Sequence, residues 1–556
     1  MKTAILTLVL AAAITGCATK ELAPTDGSKS EITTRSLRND VETIIVIYAE
    51  NRAFDNLYGR FPGARGLEEV IDARGRPLPG YSPQLDRDGS VLSALPPTWG
   101  GVTAPGVTPV VTQAQSSGLP NAPFSVEHAF TAQSNATLST ATVTRDLYHR
   151  FFEHQMQING GKNDGYAAWS DAGGLAMGYF DYSQSKMWQL AREFVLADNF
   201  FQGAFGGSFL NHQYLICACA PEYPAADTAD AKPPITALDQ DSGGHYLPRL
   251  TSAKNSPRSA LDGPPRFVRS SNIAPYDYFG DAKFYAINTM QPPYQPSGIA
   301  PASGDVENLY ADPKSASTLP AQSHLTIGDE LSDKHISWVW YSGSWTAANA
   351  DGRRPAGQAH EVIYAPEVPG GNPGFQAHHQ PFNYYEHFDP KTHADVRAAH
   401  LKDYRDLVAD AATGHLPSVA FYKPQGNFNQ HAGYASIAEG DEHLSELIGQ
   451  LRASPQWKHM VIVVTYDEFG GAWDHVAPPR GDLLGPGARI PALIISPYAK
   501  RGTVDHTQYD TESILRLITR RFGLAMLPGM TKRDEALVAH GSGPMGDLTN
   551  ALDLTP

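Results

Sequence analysis

Two short apolar segments of this chain, 43–49 (TIIVIYA) and 460–466 (MVIVVTY), run directly into oxygen-bearing side chains. If both segments are parallel strands, their carboxyl ends meet at one rim of the sheet, where open α/β folds bind ligands. Carboxylates gathered there repel one another unless a cation lies between them. Helix capping would explain one such strand end, but two in one chain favour a metal site. The candidate ligands are Glu50, Asn51, Asp467 and Glu468.

A serine at the start of a predicted helix is the second candidate. Ser208 follows the pair Gly206-Gly207 and precedes the apolar run 209–218. Backbone amides at a helix start favour a phosphate or another anion, and glycines let a ligand approach the backbone closely. The segment does not match the Gly-x-Ser-x-Gly elbow of esterases. Because Gly-Gly-Ser is also common in turns, this segment alone leaves an anion site and an ordinary turn both open.

Histidines form the third group of candidates. Imidazolium binds phosphate oxygens and can donate a proton to a leaving group. The chain has 20 histidines, so most of them must be structural. The histidines in distinctive segments are His149, His378, His379 and His431.

Four segments together resemble the bacterial phosphoesterase family, which holds acid phosphatases and phospholipases C on an alkaline-phosphatase-like core. They are 48–55 (YAENRAFD), 204–215 (AFGGSFLNHQYL), 378–382 (HHQPF) and 466–476 (YDEFGGAWDHV). The resemblance runs in order from about residue 41 to the C-terminus and weakens in two long segments. A serine in the nucleophile segment is closer to the acid phosphatase branch, because the phospholipase branch generally has a threonine there.

The resemblance implies a role for each candidate. One divalent metal ion would be held by Glu50, Asn51, Asp467 and Glu468, with Ser208 completing its shell and acting as the nucleophile. The residues that would contact the phosphoryl group are Asn51, His149, His379 and His431, with His378 as a further substrate-binding candidate. Either His379 or His431 would protonate the leaving alcohol. His378 and His475 could instead support the site from outside, and His128 is the alternative to His149.

The function implied is hydrolysis of phosphate monoesters through a phosphoserine intermediate, as in an acid phosphatase. A phospholipase C or another phosphodiesterase on the same site is the alternative, and a non-catalytic surface lipoprotein is the second. The expected substrate is a small phosphorylated compound or a phospholipid headgroup. The identity of the ion stays open, because oxygen ligands suit Ca, Mg or Mn and added histidines permit Zn or Fe.

The remaining pattern predicts an α/β fold, with a mostly parallel sheet sandwiched by helices. Short apolar runs without polar alternation suit strands covered on both faces, and helical patterns at 442–452 and 513–522 alternate with them. Segments 67–123 and 221–325 are rich in Pro, Gly, Ser and Ala, which predicts loop-rich insertions. The predicted strands are 43–49, 336–341, 418–422, 460–466 and 492–496.

The N-terminus predicts export. A positive start and a short apolar run lead to Ile14-Thr15-Gly16-Cys17, which resembles the lipobox of bacterial lipoproteins. An ordinary secretory signal cut near Ala18 is the alternative. We expect a signal peptide at 1–16, a polar tether at 17–40 and a catalytic domain at 41–556. A lipid on Cys17 would anchor the protein to a membrane, in the outer membrane or the periplasm.

Composition excludes some classes of protein and makes one further prediction. The net charge of −15 argues against nucleic-acid binding, which needs clustered Lys and Arg, and 41% hydrophobic residues can fill a packed interior. A disulfide between residues two positions apart is strained. Cys217 and Cys219 are therefore expected to be buried free thiols.

Overall fold

The computed structural model describes residues 26–365 and 374–554. The predicted signal peptide and the first part of the predicted tether, with Cys17, lie outside these residues. The strands are β1 (Thr43–Ala49), β2 (Phe124–Ser125), β3 (Gly178–Tyr179), β4 (Val195–Ala197), β5 (Phe200–Phe201), β6 (Leu238–Gln240), β7 (Tyr246–Leu250), β8 (Trp338–Ser342), β9 (Leu401–Asp403), β10 (Val419–Lys423), β11 (Met460–Tyr466), β12 (Ala492–Ile495), β13 (Thr503–Asp505) and β14 (Tyr509–Asp510).

Eight of these strands form one large sheet in the order β13-β4-β12-β11-β1-β10-β8-β9. Seven of them run in one direction, and β12 runs antiparallel to both of its neighbours. The prediction of a mostly parallel α/β sheet is therefore confirmed. All five predicted strands are present, two of them, β1 and β11, with the predicted bounds.

Helices cover the sheet on both faces. The helices are α1 (Asp26–Asp40), α2 (Phe54–Tyr58), α3 (Thr131–Ser134), α4 (Phe151–Ile158), α5 (Tyr166–Trp169), α6 (Lys186–Glu193), α7 (Ser208–Cys217), α8 (Ile327–Asp333), α9 (Trp345–Gly352), α10 (Ala394–His400), α11 (Tyr404–Thr413), α12 (Ile437–Ala453), α13 (Thr511–Phe522) and α14 (Pro528–Ala539). Helix α7 packs on α13, and α12 packs on α6 and α11. Every residue of β1, β10 and β11 is buried, as parallel strands between two helical layers must be.

The central strands place the two acidic motifs side by side. Strands β1 and β11 are parallel neighbours, with Ala49 aligned to Tyr466. Glu50 and Asp467 therefore leave the sheet at the same rim. Strand β10 pairs with the other edge of β1, so the residue that ends it, Lys423, reaches that rim as well.

The two segments predicted as insertions carry little regular structure. Segment 67–123 contains two short 3-10 helices, at Leu67–Glu69 and Ala114–Ser116, and isolated bridges such as Ile71–Pro77. Segment 221–325 contains the antiparallel pair β6–β7. Both segments contribute to the walls of the clefts described below.

The prediction of a polar tether is wrong for residues 26–40. That segment forms helix α1, whose Leu37 is fully buried. The guanidinium of Arg520 on α13 donates to the carbonyl of Ser30 at 2.8 Å, and Arg38 donates to the carbonyl of Arg520 at 3.2 Å. This helix could not be predicted from hydrophobic periodicity, because most of its surface is polar and it packs through few apolar side chains.

The prediction of free thiols is also wrong, because Cys217 and Cys219 form a disulfide. Ala218 between them adopts a left-handed conformation, with φ 50° and ψ 39°, and ends helix α7. This turn leaves the two Cα atoms 5.1 Å apart, within the range that a disulfide spans. Among the described helices, none is both long and apolar enough to cross a membrane.

Candidate functional site

Ser208 lies at the centre of a cluster of oxygen atoms. It is the first residue of α7, with Gly207 at the N-cap. Its Oγ is 3.2 Å from Glu50 Oε2, 3.2 Å from Asn51 Oδ1 and 3.5 Å from Glu468 Oε1. The hydroxyl can donate to one of these three oxygens at a time, so the other two face its lone pairs. The structure thus brings the predicted serine and the two acidic strand ends together.

The glycine before the N-cap is required by the packing of residues 202–207, the loop that leads to Ser208 and is called the serine loop below. Gly206 has φ +86°, and a Cβ there would lie 2.7 Å from the backbone of Phe151 at the start of α4. Only a residue without a side chain fits this close approach. The amide of Gly206 donates to Nδ1 of the buried His154, whose ring stacks on Phe469 at 3.7 Å. The glycine therefore fits the loop against protein rather than against a ligand.

Backbone amides fix the acidic residues in place. The amides of Asn51 and Glu468 both donate to Asp467 Oδ1, at 3.0 Å and 2.8 Å. The amide of Gly470 donates to Glu468 Oε2 at 2.6 Å. Asn51 has φ 60°, a left-handed conformation that turns the chain sharply at the strand end. These contacts orient the carboxylates toward Ser208.

Lys423 is a buried part of this site that sequence reasoning missed. Its Nζ is 2.5 Å from Glu50 Oε1 and 3.7 Å from Asp467 Oδ2, and its side chain is fully buried. The signal was available, because Lys423 directly follows the predicted strand 418–422. The order of strands in the sheet, which shows that this strand neighbours β1, could not be predicted from the sequence.

The charges of the cluster do not balance. Burial opposes the charge of Glu50, but Lys423 and His379 outweigh it and hold the pKa of Glu50 well below its usual range. Burial and the Glu50 charge together raise the pKa of Asp467 to about 7. Burial raises the pKa of Glu468 well above its usual range, although His149 opposes this rise. Three buried carboxylates therefore share one ammonium group.

This set fits a divalent cation. Oxygen donors from Glu50, Asn51, Ser208 and Glu468 converge, and the buried Asp467 Oδ2 has no hydrogen-bond partner among residues 26–365 and 374–554. A cation would supply both the missing partner and the missing positive charge. Histidine nitrogens lie close enough to take part, since Glu50, His212 and His379 also form a compact candidate ligand group. His212, on α7, was not singled out from the sequence.

The predicted histidines divide into two groups. His149 and His431 lie beside the oxygen cluster, with Nε2 of His149 at 3.8 Å from Glu468 Oε1 and Nε2 of His431 at 3.9 Å from Glu50 Oε2. Burial disfavours the charge of His149, but Glu468 and Asp146 raise its pKa to about 9. Burial lowers the pKa of His431.

His379 is 2% exposed and contacts Glu50, whereas the sequence predicts that it contacts the substrate. Its Nε2 is 2.7 Å from Glu50 Oε1, and burial lowers its pKa to about 4. His378 lies on the wall of the cleft, 3.3 Å from the hydroxyl of Tyr364.

The other two histidines considered from the sequence lie away from Ser208. His475 contacts Asp55 at 2.6 Å and Glu69 at 3.4 Å, in a cluster with Asp474. His128 is exposed in a turn. Between His128 and His149, the structure thus brings His149 to the cluster.

A cleft of about 400 Å³ opens above Ser208. A second cleft of about 940 Å³ adjoins it, and both are lined by Asp146, His149, Arg150 and Gly433. Segment 272–289 of the second insertion contributes to the first cleft, and segment 100–113 of the first insertion lines the second. The predicted insertions therefore form the walls around the site.

The chain belongs to the Phosphoesterase family. The model of that family matches residues 41–525, which include all the cluster residues described above. The family resemblance of the sequence is thus confirmed, whereas its assignment to the acid phosphatase branch stays a prediction.

Curated relatives match parts of the chain. Non-specific phospholipase C6 of Arabidopsis thaliana is 30% identical over 181 residues, which cover 26% of this chain and 34% of that protein. Non-hemolytic phospholipase C of Pseudomonas aeruginosa is 28% identical over 179 residues, which cover 26% of this chain and 25% of that protein. The matches thus span about a third or less of these relatives.

Solved structures are similar at a lower level. A protein of the alkaline phosphatase superfamily from Vibrio parahaemolyticus has a TM-score of 0.22 at 12% identity and covers 38% of this chain and 51% of that chain. The lipoteichoic acid synthase LtaP from Listeria monocytogenes has a TM-score of 0.25 at 9% identity and covers 73% of this chain and 74% of that chain.

Proposed function

We propose that this protein is a phosphoric ester hydrolase that cleaves phosphate monoesters through a phosphoserine on Ser208. The observation that carries this proposal is the position of the Ser208 hydroxyl. It lies at the N-terminus of a ten-residue helix, among three oxygen donors and on the wall of a cleft. Free helix amides and the helix dipole favour a negative charge at this point.

The acidic residues prepare the serine for attack. Glu50, Asn51, Asp467 and Glu468 are proposed to hold one divalent metal ion, of undetermined identity. When bound, that ion lowers the pKa of a hydroxyl and stabilises negative charge on phosphoryl oxygens. Lys423 keeps Glu50 ionised, and the carboxylate of Glu468 lies within reach of the serine proton. The alkoxide then attacks phosphorus in line with the leaving oxygen.

The histidines of the cleft are proposed to bind the phosphoryl group and to protonate the leaving alcohol. His149 and His431 line the cleft with their rings 5.7 Å apart, so both can meet a phosphoryl group above Ser208. Glu468 and Asp146 raise the pKa of His149, whereas burial lowers the pKa of His379 and of His431, and this difference favours His149 as the donor to the leaving oxygen. His379 instead restrains Glu50. Water then hydrolyses the phosphoserine.

Trapping the intermediate tests this proposal. Rapid quench of the wild-type protein with a labelled phosphomonoester should leave phosphate on the peptide that contains Ser208. Ser208→Ala should lose several orders of magnitude in turnover, about what removal of a nucleophile costs other covalent enzymes. The variant should still bind vanadate, because the surrounding donors remain.

A serine that only caps a helix provides the matched control. Ser185 accepts a hydrogen bond from the amide of Trp188 at the start of α6. Ser185→Ala should cost about 1 kcal/mol of stability and leave turnover near normal. A fully active Ser208→Ala protein, or trapped phosphate on another residue, would contradict the proposal.

A phosphodiesterase of the phospholipase C type is the second candidate. The cleft of about 940 Å³ beside the site has room for a second ester substituent, and exposed apolar residues such as Val110 line it. Two of the similar proteins are named as phospholipases C. The ratio of kcat/KM for 4-nitrophenyl phosphate and bis(4-nitrophenyl) phosphate separates the two candidates, since a ratio in favour of the diester would select the second.

A further inference from the structure

Arg150 lies where the two clefts meet. It precedes helix α4 in an extended conformation, with φ −95° and ψ 160°, and follows His149 directly. Its side chain is half-buried and lines both the cleft above Ser208 and the adjoining one. Arg150 has no role in the reaction proposed for Ser208.

The guanidinium of Arg150 has no hydrogen bond, and no ion pair within 4 Å, to any residue in 26–365 or 374–554. Its neighbour in the second cleft, Arg145, is by contrast paired with Asp171 at 3.1 Å. The acid that Arg150 does influence is Glu153, but that carboxyl is buried and hydrogen-bonded to Ser270. Burial raises the pKa of Glu153, although Arg150 lowers it. Five donors of Arg150 are thus available to a ligand.

The charge of the cleft makes this free guanidinium significant. Of the residues that line the cleft above Ser208, Asp146 and Arg150 are the charged ones apart from histidines. The Lys423 ammonium is buried beneath the cleft and contacts Glu50. Arg150 is therefore the permanent cation that an incoming anion meets, in a chain of net charge −15.

We infer that Arg150 binds the non-bridging oxygens of the phosphoryl group and selects phosphate monoesters over diesters; this rests on the proposed phosphoryl site at Ser208. A monoester carries close to two negative charges at neutral pH and has three non-bridging oxygens. A guanidinium has a planar fork of N–H groups and donates two parallel hydrogen bonds to two such oxygens. A diester carries one charge and keeps two non-bridging oxygens. The guanidinium therefore meets a weaker charge and one pair of oxygens, where a monoester offers three such pairs.

Matched substitutions test this inference on the full chain. Arg150→Gln should lower kcat/KM for 4-nitrophenyl phosphate by about 10- to 100-fold, as the loss of charge-assisted hydrogen bonds implies. The value for bis(4-nitrophenyl) phosphate should change by less than about 3-fold, because the diester gains less from the fork. Calorimetry should show weaker binding of inorganic phosphate to the variant.

Two further variants separate the role of charge from that of structure. Arg150→Lys keeps a point charge but not the fork, so its loss on the monoester should be intermediate. Arg269→Gln removes the same charge from an exposed residue that lines neither cleft, and it should match the wild type on both esters. Thermal unfolding of each variant checks that the fold is intact.

The outcomes distinguish this inference from the proposal on which it rests. If the wild type hydrolyses neither ester, the proposed function fails. If the wild type is active and Arg150→Gln or Arg150→Lys lowers both esters equally, or neither, the selective role of Arg150 is overturned. If Arg150→Gln does not fold, the ratio of the two esters for Arg150→Lys decides in the same way.

Discussion

At the residue scale, the site concentrates negative charge that the folded chain cannot neutralise by itself. Glu50, Asp467 and Glu468 are fully buried, and among the described residues Lys423 supplies the one ammonium group within 4 Å of them. Burying unpaired charge is costly, and burial raises the pKa of both Asp467 and Glu468, which favours their protonated forms when no cation is bound. A divalent cation would replace those protons. Metal content is therefore the most direct readout of this cluster.

We predict that Asp467→Ala abolishes metal binding and turnover together. Asp467 places one oxygen between the amides of Asn51 and Glu468, and its other oxygen has no hydrogen-bond partner in the described part of the chain. The substitution removes a ligand and releases two neighbouring ligands at once. Elemental analysis of the purified variant should find no stoichiometric metal, while circular dichroism should remain close to that of the wild type.

Asp395→Ala is the control for this prediction, because Asp395 is exposed in the first turn of α10. It should keep both metal and activity. A purified Asp467→Ala protein that retains one metal ion per chain would show that Asp467 is not a ligand.

At the element scale, the sequence predicted the strands better than their order. The apolar runs of β1 and β11 are unbroken and end at charged residues, so their bounds could be predicted to the residue. No local pattern shows that β10 lies beside β1, because strand order depends on long-range packing. Lys423 was missed for this reason, and so was His154, which links the serine loop to Phe469 only in the folded chain.

We predict that Gly470→Ala damages the site although Gly470 itself supplies no side-chain ligand. Gly470 has φ +62°, and a Cβ there would lie 2.3 Å from the carbonyl oxygen of Asn51. The strand-end loops would have to move apart, at a cost of about 1–3 kcal/mol in the free energy of unfolding. Urea unfolding and metal titration should show losses in both stability and metal affinity.

Gly449→Ala is the matched control, because Gly449 lies inside α12 and its added Cβ meets nothing within 4 Å. It should stabilise the protein by about 0.5–1 kcal/mol. Equal behaviour of the two glycine variants would contradict the argument from steric contact.

A buried histidine on α12 makes stability depend on pH. The ring of His443 stacks on Phe428 at 4.8 Å, and its Nε2 is hydrogen-bonded to the Tyr422 hydroxyl at 2.6 Å. Burial lowers the pKa of His443 to about 4. The unfolded chain therefore binds this proton more readily. The stabilisation is complete above about pH 6.5 and is lost as the pH falls toward 4, by up to about 3 kcal/mol.

We predict that His443→Gln removes this component of acid sensitivity. Its free energy of unfolding, measured by urea titration between pH 6.5 and 4, should fall less steeply than that of the wild type. His128→Gln alters an exposed histidine and should keep the wild-type slope. Parallel slopes for His443→Gln and the wild type would show that His443 titrates normally in the folded state.

At the scale of the whole molecule, one sheet carries the chemistry and the insertions shape access to it. Asn288 of the second insertion accepts from the amide of Phe151 at 3.0 Å and so holds the start of α4 beside the serine loop. Segment 100–113 of the first insertion lines the adjoining cleft. The sequence predicted these segments as loops, but their positions depend on contacts between distant residues and could not be predicted from composition.

The anchor is the remaining question at this scale, and we propose that a lipid on Cys17 holds the exported protein at a membrane, in the outer membrane or facing the periplasm. The chain has three cysteines, and Cys217 and Cys219 are joined to each other. That disulfide suits an oxidising compartment and leaves Cys17 as the thiol available for a lipid. Nine residue positions separate Cys17 from Asp26, where α1 begins. The catalytic domain would therefore lie within about 30 Å of the lipid.

We predict that Cys17→Ser abolishes incorporation of labelled palmitate and moves the protein from the membrane fraction to the soluble fraction. Its turnover of a soluble phosphomonoester should stay at the wild-type level, because α1 docks on α13 whether or not a lipid precedes it. The double variant Cys217→Ser, Cys219→Ser should still incorporate palmitate. Unchanged labelling of the Cys17→Ser protein would refute the lipid anchor and leave an ordinary secretory signal as the explanation of the N-terminal sequence.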